Sequence, residues 1–169
     1  MQSWRHKRPA KPCRHQAYLM TCEEFDELAD FAEDRCQLCR VSPEELPQKM
    51  LFIDHDAGLG RWAVRGLLCN RCNSRIGWGP RDGDAVYLES PWYRRLLDRA
   101  GISEVRILEP PLGTWITAFG TTYVRTIDGW RSNQHRKYPP RPITWQELCQ
   151  ALGPHKIKVH GAPVPKRRQ

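Results

Sequence analysis

The chain has 169 residues, 14 Pro, 12 Gly and a formal net charge of +8, a size that suits one domain or a small domain with an appendage. A chain of this length buries roughly 70% of its unfolded surface; with 27% charged residues its core is expected to be modest and a metal staple would help it fold. No apolar run approaches the ~18 residues that cross a membrane, and Met1-Gln2-Ser3-Trp4-Arg5-His6-Lys7-Arg8 has no hydrophobic stretch behind its charges, so no membrane association is expected and a soluble, cytoplasmic protein is.

In chain order, residues 1–17 are basic and lack apolar periodicity, which reads as an unpacked or draped arm. Thr21-x-x-Glu24 is a capping box, and Phe25, Leu28 and Ala32 follow at helical spacing, predicting a helix over 21–34. The apolar run 50–53 reads as a buried strand leading into Asp54-His55-Asp56. Gly58 and Gly60 mark a turn, and a second strand is expected over 62–68. A short helix from Asn70 to about Ile76 would stop at Gly77. Ser90, Pro91 and Gly101 bracket a further helix over 90–100. Beyond Pro110-Pro111, strands are expected over 114–119 and 123–127, and Thr144-x-x-Glu147 caps a helix carrying Trp145, Leu148 and Leu152.

The sequence pI of about 9.3 points to a polyanionic partner. Basic residues gather in 1–15, around Arg131 to Arg141 and at Lys166-Arg167-Arg168; charge runs are usually solvated tails, the favoured reading for the final Lys-Arg-Arg, so only the overall excess counts toward that partner. In the tail region Trp115, Trp130 and Trp145 stand near Arg131, Arg136, Lys137 and Arg141. They suit either a small tryptophan core, the favoured reading, or stacking on single-stranded or distorted DNA.

Four of the seven cysteines fall in two Cys-x-x-Cys pairs, Cys36/Cys39 and Cys69/Cys72. Four thiolates make a closed tetrahedral site that suits Zn2+ at about 2.3 Å and leaves no open position for catalysis, so this ion is expected to be structural. Spacing alone fits a zinc ribbon without catalysis equally well. What separates the readings is the segment between the pairs, which carries Asp54-His55 directly after an apolar strand. An isolated Asp-His pair is more often structural. Phosphodiester hydrolysis, however, needs a hard cation and a base for the attacking water, and Asp54 and His55 can supply those roles. Mg2+ takes oxygen ligands and keeps several waters, and Asn73, next to Cys72, offers an amide oxygen. Cys13, His15 and Cys22 supply three candidate ligands, one in a predicted first helical turn, so a second metal site is not expected. Cys149 reads as a small packed apolar residue.

The segments 21–28, Arg35-Cys36-Gln37-Leu38-Cys39, Ile53-Asp54-His55-Asp56 and Val64-Arg65-Gly66-Leu67-Leu68-Cys69-Asn70-Arg71-Cys72-Asn73, in that order, resemble the recombination endonuclease VII family of His-Asn-His nucleases. The resemblance covers residues 18–105. It implies an α+β fold built on a zinc-stapled ββα-metal (His-Me finger) nuclease module; the Pro-rich tail beyond it reads, from its own residues, as a small α+β C-terminal appendage. It also implies that Asp54 and Asn73 hold a catalytic Mg2+ or Mn2+, that His55 is the general base, and that the four cysteines bind the structural zinc. Arg65, Arg71 and Arg75, beside this site, are candidate phosphate contacts or solvated surface arginines. The organisation expected is a basic arm over 1–17, the nuclease module over 18–105, the appendage over 106–160 and a basic tail over 161–169.

Two departures stand out. Many relatives read Asp-His-Asp-His, whereas Ala57 follows Asp56 here, and the long helical dimerisation region of junction-resolving members is not evident. Junction resolution is therefore not assumed, and a monomeric nicking or nonspecific double-strand nuclease is an expectation of at least equal weight. A non-catalytic zinc-ribbon DNA-binding protein is the alternative, and a zinc-ribbon protein-interaction module the third class.

Overall fold

The computed structural model describes residues 4–6, 12–102, 109–132 and 141–160. It is an α+β protein whose chain divides into two compact units, Met1–Leu96 and Leu97–Gln169. The basic residues Lys7, Arg8 and Lys11, the charged positions Arg136 and Lys137, and the tail 161–169 lie outside the described residues.

In the first unit α1 spans Cys22–Phe31, and its capping box forms as the sequence predicts: Glu24 N donates to Thr21 Oγ1 at 3.1 Å and Thr21 N to Glu24 Oε2 at 2.8 Å. The helix stops short of Asp34, because Glu33 and Asp34 adopt positive φ of 54° and 50°, which no α-helix accommodates. Phe25, Leu28 and Ala29 form its buried face, set against the two strands that follow. These are β1, Phe52–His55, and β2, Val64–Leu68, paired antiparallel. The first strand begins later than the apolar run suggested and takes Asp54 and His55 into the ladder. Between them the register shifts: Asp54 faces Gly66 and His55 faces Val64, so Arg65 is the extra residue of a bulge.

A helix, α2, spans Asn70–Trp78 and packs against both strands. It runs through Gly77, the expected stop, and ends at Gly79, whose φ of 149° only glycine adopts readily. Next come a 3-10 turn at Asp82–Asp84, then α3, Ala85–Glu89, and α4, Tyr93–Arg99, across the boundary between units. Ser90 closes α3 instead of capping the expected 90–100 helix. The core of the unit gathers Leu28, Leu51, Val64, Leu67 and Leu68, each at 0% exposure, with Trp92 beside them.

Residues 4–6 and 12–18 drape on α1, one of the two forms expected for the arm, but they include a packed turn where none was expected. Trp4 sits edge-on to Phe25, Arg5 binds Asp34 at 2.9 Å and Asp30 at 2.8 Å, and a 3-10 helix at Arg14–Tyr18 buries His15. Periodicity reports continuous helices and strands, so a segment held by single anchors gives no such signal.

The second unit is an antiparallel sheet in the order β5-β4-β3-β6, with β3 at Trp115–Ala118, β4 at Thr121–Thr126, β5 at Gly129–Ser132 and β6 at Lys158–His160. The sequence reading anticipated β3 and β4 alone. The β4–β5 hairpin turns at Ile127-Asp128 into Gly129, whose φ is 126°. The helix α5, Trp145–Leu152, carries the expected capping box on Thr144 and Glu147. Trp130, Trp145, Ile116 and Leu148 form one cluster, with the two indoles 5.3 Å apart, so these tryptophans build a core as favoured. Trp115 instead stacks on His160 at 3.8 Å. Among the described residues no helix is long and apolar enough to cross a membrane.

Truncating Leu28 removes packing from the centre of the first unit. Leu28→Ala is expected to lower the unfolding free energy by about 2–5 kcal/mol, measured by urea titration of tryptophan fluorescence, whereas Val86→Ala, at 77% exposure, should stay within about 0.5 kcal/mol.

Candidate active site and metal centre

The two Cys-x-x-Cys segments fold as tight turns. In the first, Arg40 takes φ of 63° and donates its N–H to the Cys36 carbonyl at 2.8 Å, while Cys36 N donates to the Val41 carbonyl at 2.9 Å. In the second, Cys69 is the N-cap of α2, and its sulfur accepts the N–H of Cys72 at 3.5 Å. The turns meet so that the sulfurs of Cys36, Cys39, Cys69 and Cys72 all lie within 4.8 Å of one another. Cys39 Sγ and Cys69 Sγ are 3.7 Å apart, matching the ~3.8 Å sulfur separation of a tetrahedral site with 2.3 Å bonds. Cys36, Cys69 and Cys72 are buried and Cys39 is exposed. Burial, followed by the neighbouring sulfurs of Cys69 and Cys36, pushes the Cys72 thiol well above its ordinary range; a bound dication reverses that preference. The cluster can hold a zinc ion.

Gln37, inside the first turn, joins this cluster to the β-hairpin. Its backbone N–H donates to the Leu67 carbonyl at 3.0 Å and its side-chain Oε1 accepts the Leu67 N–H at 2.7 Å. The carboxamide passes so close to Gly66 that an added Cβ would stand 2.0 Å from Oε1 and 2.8 Å from Tyr87 Cε2. Gly66 is thus required for close approach, directly across the ladder from Asp54.

Asp54 is 5% exposed. Its Oδ2 accepts from Arg65 Nε at 2.8 Å and from Tyr87 Oη at 2.7 Å, and its Oδ1 accepts from Arg65 Nη2 at 2.8 Å. The bulge at Arg65 supplies this bidentate pair, and the buried carboxylate is neutralised as burial demands. Oδ2 accepts two hydrogen bonds and Oδ1 one. Burial, then the Asp54 charge, keeps the Tyr87 phenol protonated, so it serves as a donor. His55, next along β1, is half-buried, with the Tyr18 ring edge-on at 5.3 Å. Burial pushes its imidazole below the ordinary value, a shift that Asp54 opposes and Arg65 and Arg61 reinforce. The ring is therefore neutral at neutral pH. Asn73 lies half-buried in the first turns of α2, its N–H donating to the Cys69 carbonyl at 2.9 Å; it belongs to the helix that packs on β1 and β2.

The three arginines differ. Arg65 is committed to Asp54. Arg75 holds Asp84 through two bonds, at 2.5 Å and 2.7 Å, which join α2 to the Asp82–Asp84 turn and lower the Asp84 carboxyl below its usual range. Arg71 is exposed, in a cleft beside the cysteine cluster that Arg75, Arg81 and Leu38 also line. Sequence reasoning missed Gln37 and Tyr87, and gave Arg65 no tie to Asp54. No local motif marks Tyr87, which reaches Asp54 from α3.

Residues 12–94 match the family model described as recombination endonuclease VII. The Gene 59 protein of Mycobacterium phage D29 is 40% identical over 62 residues, 36% of this chain and 35% of that relative. The Gene 59 protein of Mycobacterium phage L5 is 37% identical over the same shares. The chain thus aligns with about a third of each curated relative's length. No solved structure matches.

Zinc at a four-cysteine site contributes on the order of 10 kcal/mol or more, comparable with the whole stability of a domain, ~5–15 kcal/mol. Cys72→Ser is therefore expected to release that zinc and unfold the first unit, measured by circular dichroism alongside metal analysis. Gly66→Ala forces Gln37 and Tyr87 apart and should lower the unfolding free energy by about 1–3 kcal/mol in the same urea titration.

Proposed function

Since residues 12–94 belong to the recombination endonuclease VII family, we propose that this protein is a metal-dependent endonuclease that hydrolyses DNA phosphodiester bonds, with His55 as general base. The observation that carries the reading is the pair formed by a buried, hydrogen-bonded Asp54 and a neutral, half-buried His55 at the bulged end of β1.

Asp54 Oδ1 and the Asn73 amide would hold Mg2+ or Mn2+, and both are oxygen donors of the kind these ions take. A divalent cation held there supplies positive charge that offsets the charge developing on the phosphate and on the leaving 3′ oxygen. His55 accepts a proton from the water that attacks in line, and the products carry 5′-phosphates. Tyr87 and Arg65 orient the Asp54 carboxylate. Tyr18 restrains the His55 ring from the side. Arg71, exposed beside the cysteine cluster, is the best placed of the three arginines to touch a flanking phosphate. The relatives' phage origin supports a phage setting.

The Arg65–Asp54 pair favours a second reading, in which Asp54 is a structural carboxylate and the domain binds DNA without cutting it. Plasmid nicking with Mg2+ or Mn2+ separates the two. His55→Ala is expected to reduce cleavage ~10²–10⁴-fold while leaving circular dichroism and zinc content unchanged. Undiminished cleavage would remove His55 from the mechanism; salt-sensitive DNA binding with no cleavage by the wild type would establish the binding reading. Because His55 must be neutral to act, and its ionisation lies below the ordinary imidazole value, the rate should hold across neutral pH and decline only as acidity passes below about 6.5.

A further inference from the structure

The first unit contains a second convergence of soft ligands, away from the four-cysteine cluster. His6, Cys13, His15 and Cys22 bring one ligand atom each within 4.8 Å of the others. His6 comes from the N-terminal segment, Cys13 and His15 from the start of the Arg14–Tyr18 turn, and Cys22 from the first residue of α1. We propose that these four side chains form a second structural zinc site of the two-cysteine, two-histidine type, which ties the N-terminal segment to α1.

The separations suit it. Cys13 Sγ and His6 Nδ1 are 3.8 Å apart, against about 3.6 Å for the sulfur–nitrogen edge of a tetrahedral zinc with bonds near 2.3 and 2.05 Å. His6 has its other nitrogen already engaged: Nε2 lies 2.9 Å from Asp26 Oδ1. A carboxylate on the far nitrogen is the usual device that fixes the tautomer and orientation of a metal-bound imidazole, and it leaves Nδ1 for the ion.

His15 is the independent sign. It is 1% exposed, and neither ring nitrogen has a hydrogen-bond partner. Its ring is stacked on Phe25 at 4.7 Å and lies edge-on to His6 at 5.4 Å. A buried imidazole with both nitrogens unsatisfied is costly, and coordination satisfies one of them at the point where three other ligands meet. Neither Cys13 nor Cys22 is in a disulfide among the described residues; they would bind as thiolates, passing their protons to solvent. Two thiolates and two neutral imidazoles balance a dication, so the site carries no net charge into its half-buried surroundings.

The position gives the ion a structural task. Trp4 and Arg5 pack on α1 beside this site, and Tyr18, at the end of the same 3-10 turn, touches the His55 ring. Zinc here would make a segment with little apolar surface of its own into a fixed buttress on α1.

The test is metal stoichiometry of the full chain, expressed with zinc and dialysed into metal-free buffer. Wild type is expected to hold two zinc ions per chain. Cys22→Ser, at an exposed position, should hold one with the circular dichroism of a folded protein, and Cys22→His, which restores a ligand, should hold two. Asp54→Asn should also keep two, so that metal at the proposed cleavage site is not counted. Cobalt substitution gives a second readout: the thiolate-to-cobalt absorption of wild type should exceed that of Cys22→Ser and match the four-cysteine site alone in that variant. One zinc in wild type, two in Cys22→Ser, or a Cys13–Cys22 disulfide in the zinc-grown protein would each overturn the proposal. If Cys22→Ser fails to fold, the stoichiometries of wild type, Cys22→His and Asp54→Asn still decide it. None of these readouts depends on DNA cleavage.

Discussion

Two short turns, distant in sequence, meet at one cluster of four sulfurs, and the geometry of the first unit depends on that meeting. Cys36 and Cys39 lie before the hairpin and Cys69 and Cys72 after it. An ion held between them would fix where β2 ends and where α2 begins, since Cys69 is both the residue after Leu68 and the N-cap of the helix. Hydrophobic burial is non-directional, whereas metal–thiolate bonds are directional and strong. Gln37 carries the constraint onward by pairing with both backbone groups of Leu67.

That constraint positions an electrostatic arrangement that would be costly elsewhere. A carboxylate at 5% exposure needs its charge met, and Asp54 is met on both oxygens, by the guanidinium of Arg65 and the phenol of Tyr87. Each partner has a structural cause. Arg65 occurs at the bulge, where one extra residue turns β2, and Tyr87 reaches the site because Gly66 presents no Cβ to its ring. His55 follows directly along the strand, where burial favours the neutral ring. Loss of any of these supports therefore propagates to the same two side chains.

Local chemistry was well written in the sequence. The capping boxes at Thr21 and Thr144 form with their expected partners, and the cysteine pairs converge as their spacing implied. Boundaries were less legible. Gly77 sits within α2 because packing against the hairpin outweighs the propensity of one glycine, and Ser90 ends one helix instead of starting another. The strands β5 and β6 went unread; β6 is only three residues long, and β5 begins at the glycine of Asp128-Gly129, a turn signal that could have been used.

Residue type and spacing by themselves determined the two Cys-x-x-Cys pairs as a candidate metal site, the resemblance carried through Cys69-Asn70-Arg71-Cys72-Asn73, and the adjacency of an acid and an imidazole at Asp54-His55, because these are properties of near neighbours along the chain. Tertiary structure alone decided that Arg65 and Tyr87 close on Asp54, that Arg75 serves Asp84, and that His6 joins Cys13, His15 and Cys22. Those contacts join residues from separate elements, and their energies depend on distance and burial in the folded chain, quantities that no periodicity or motif encodes.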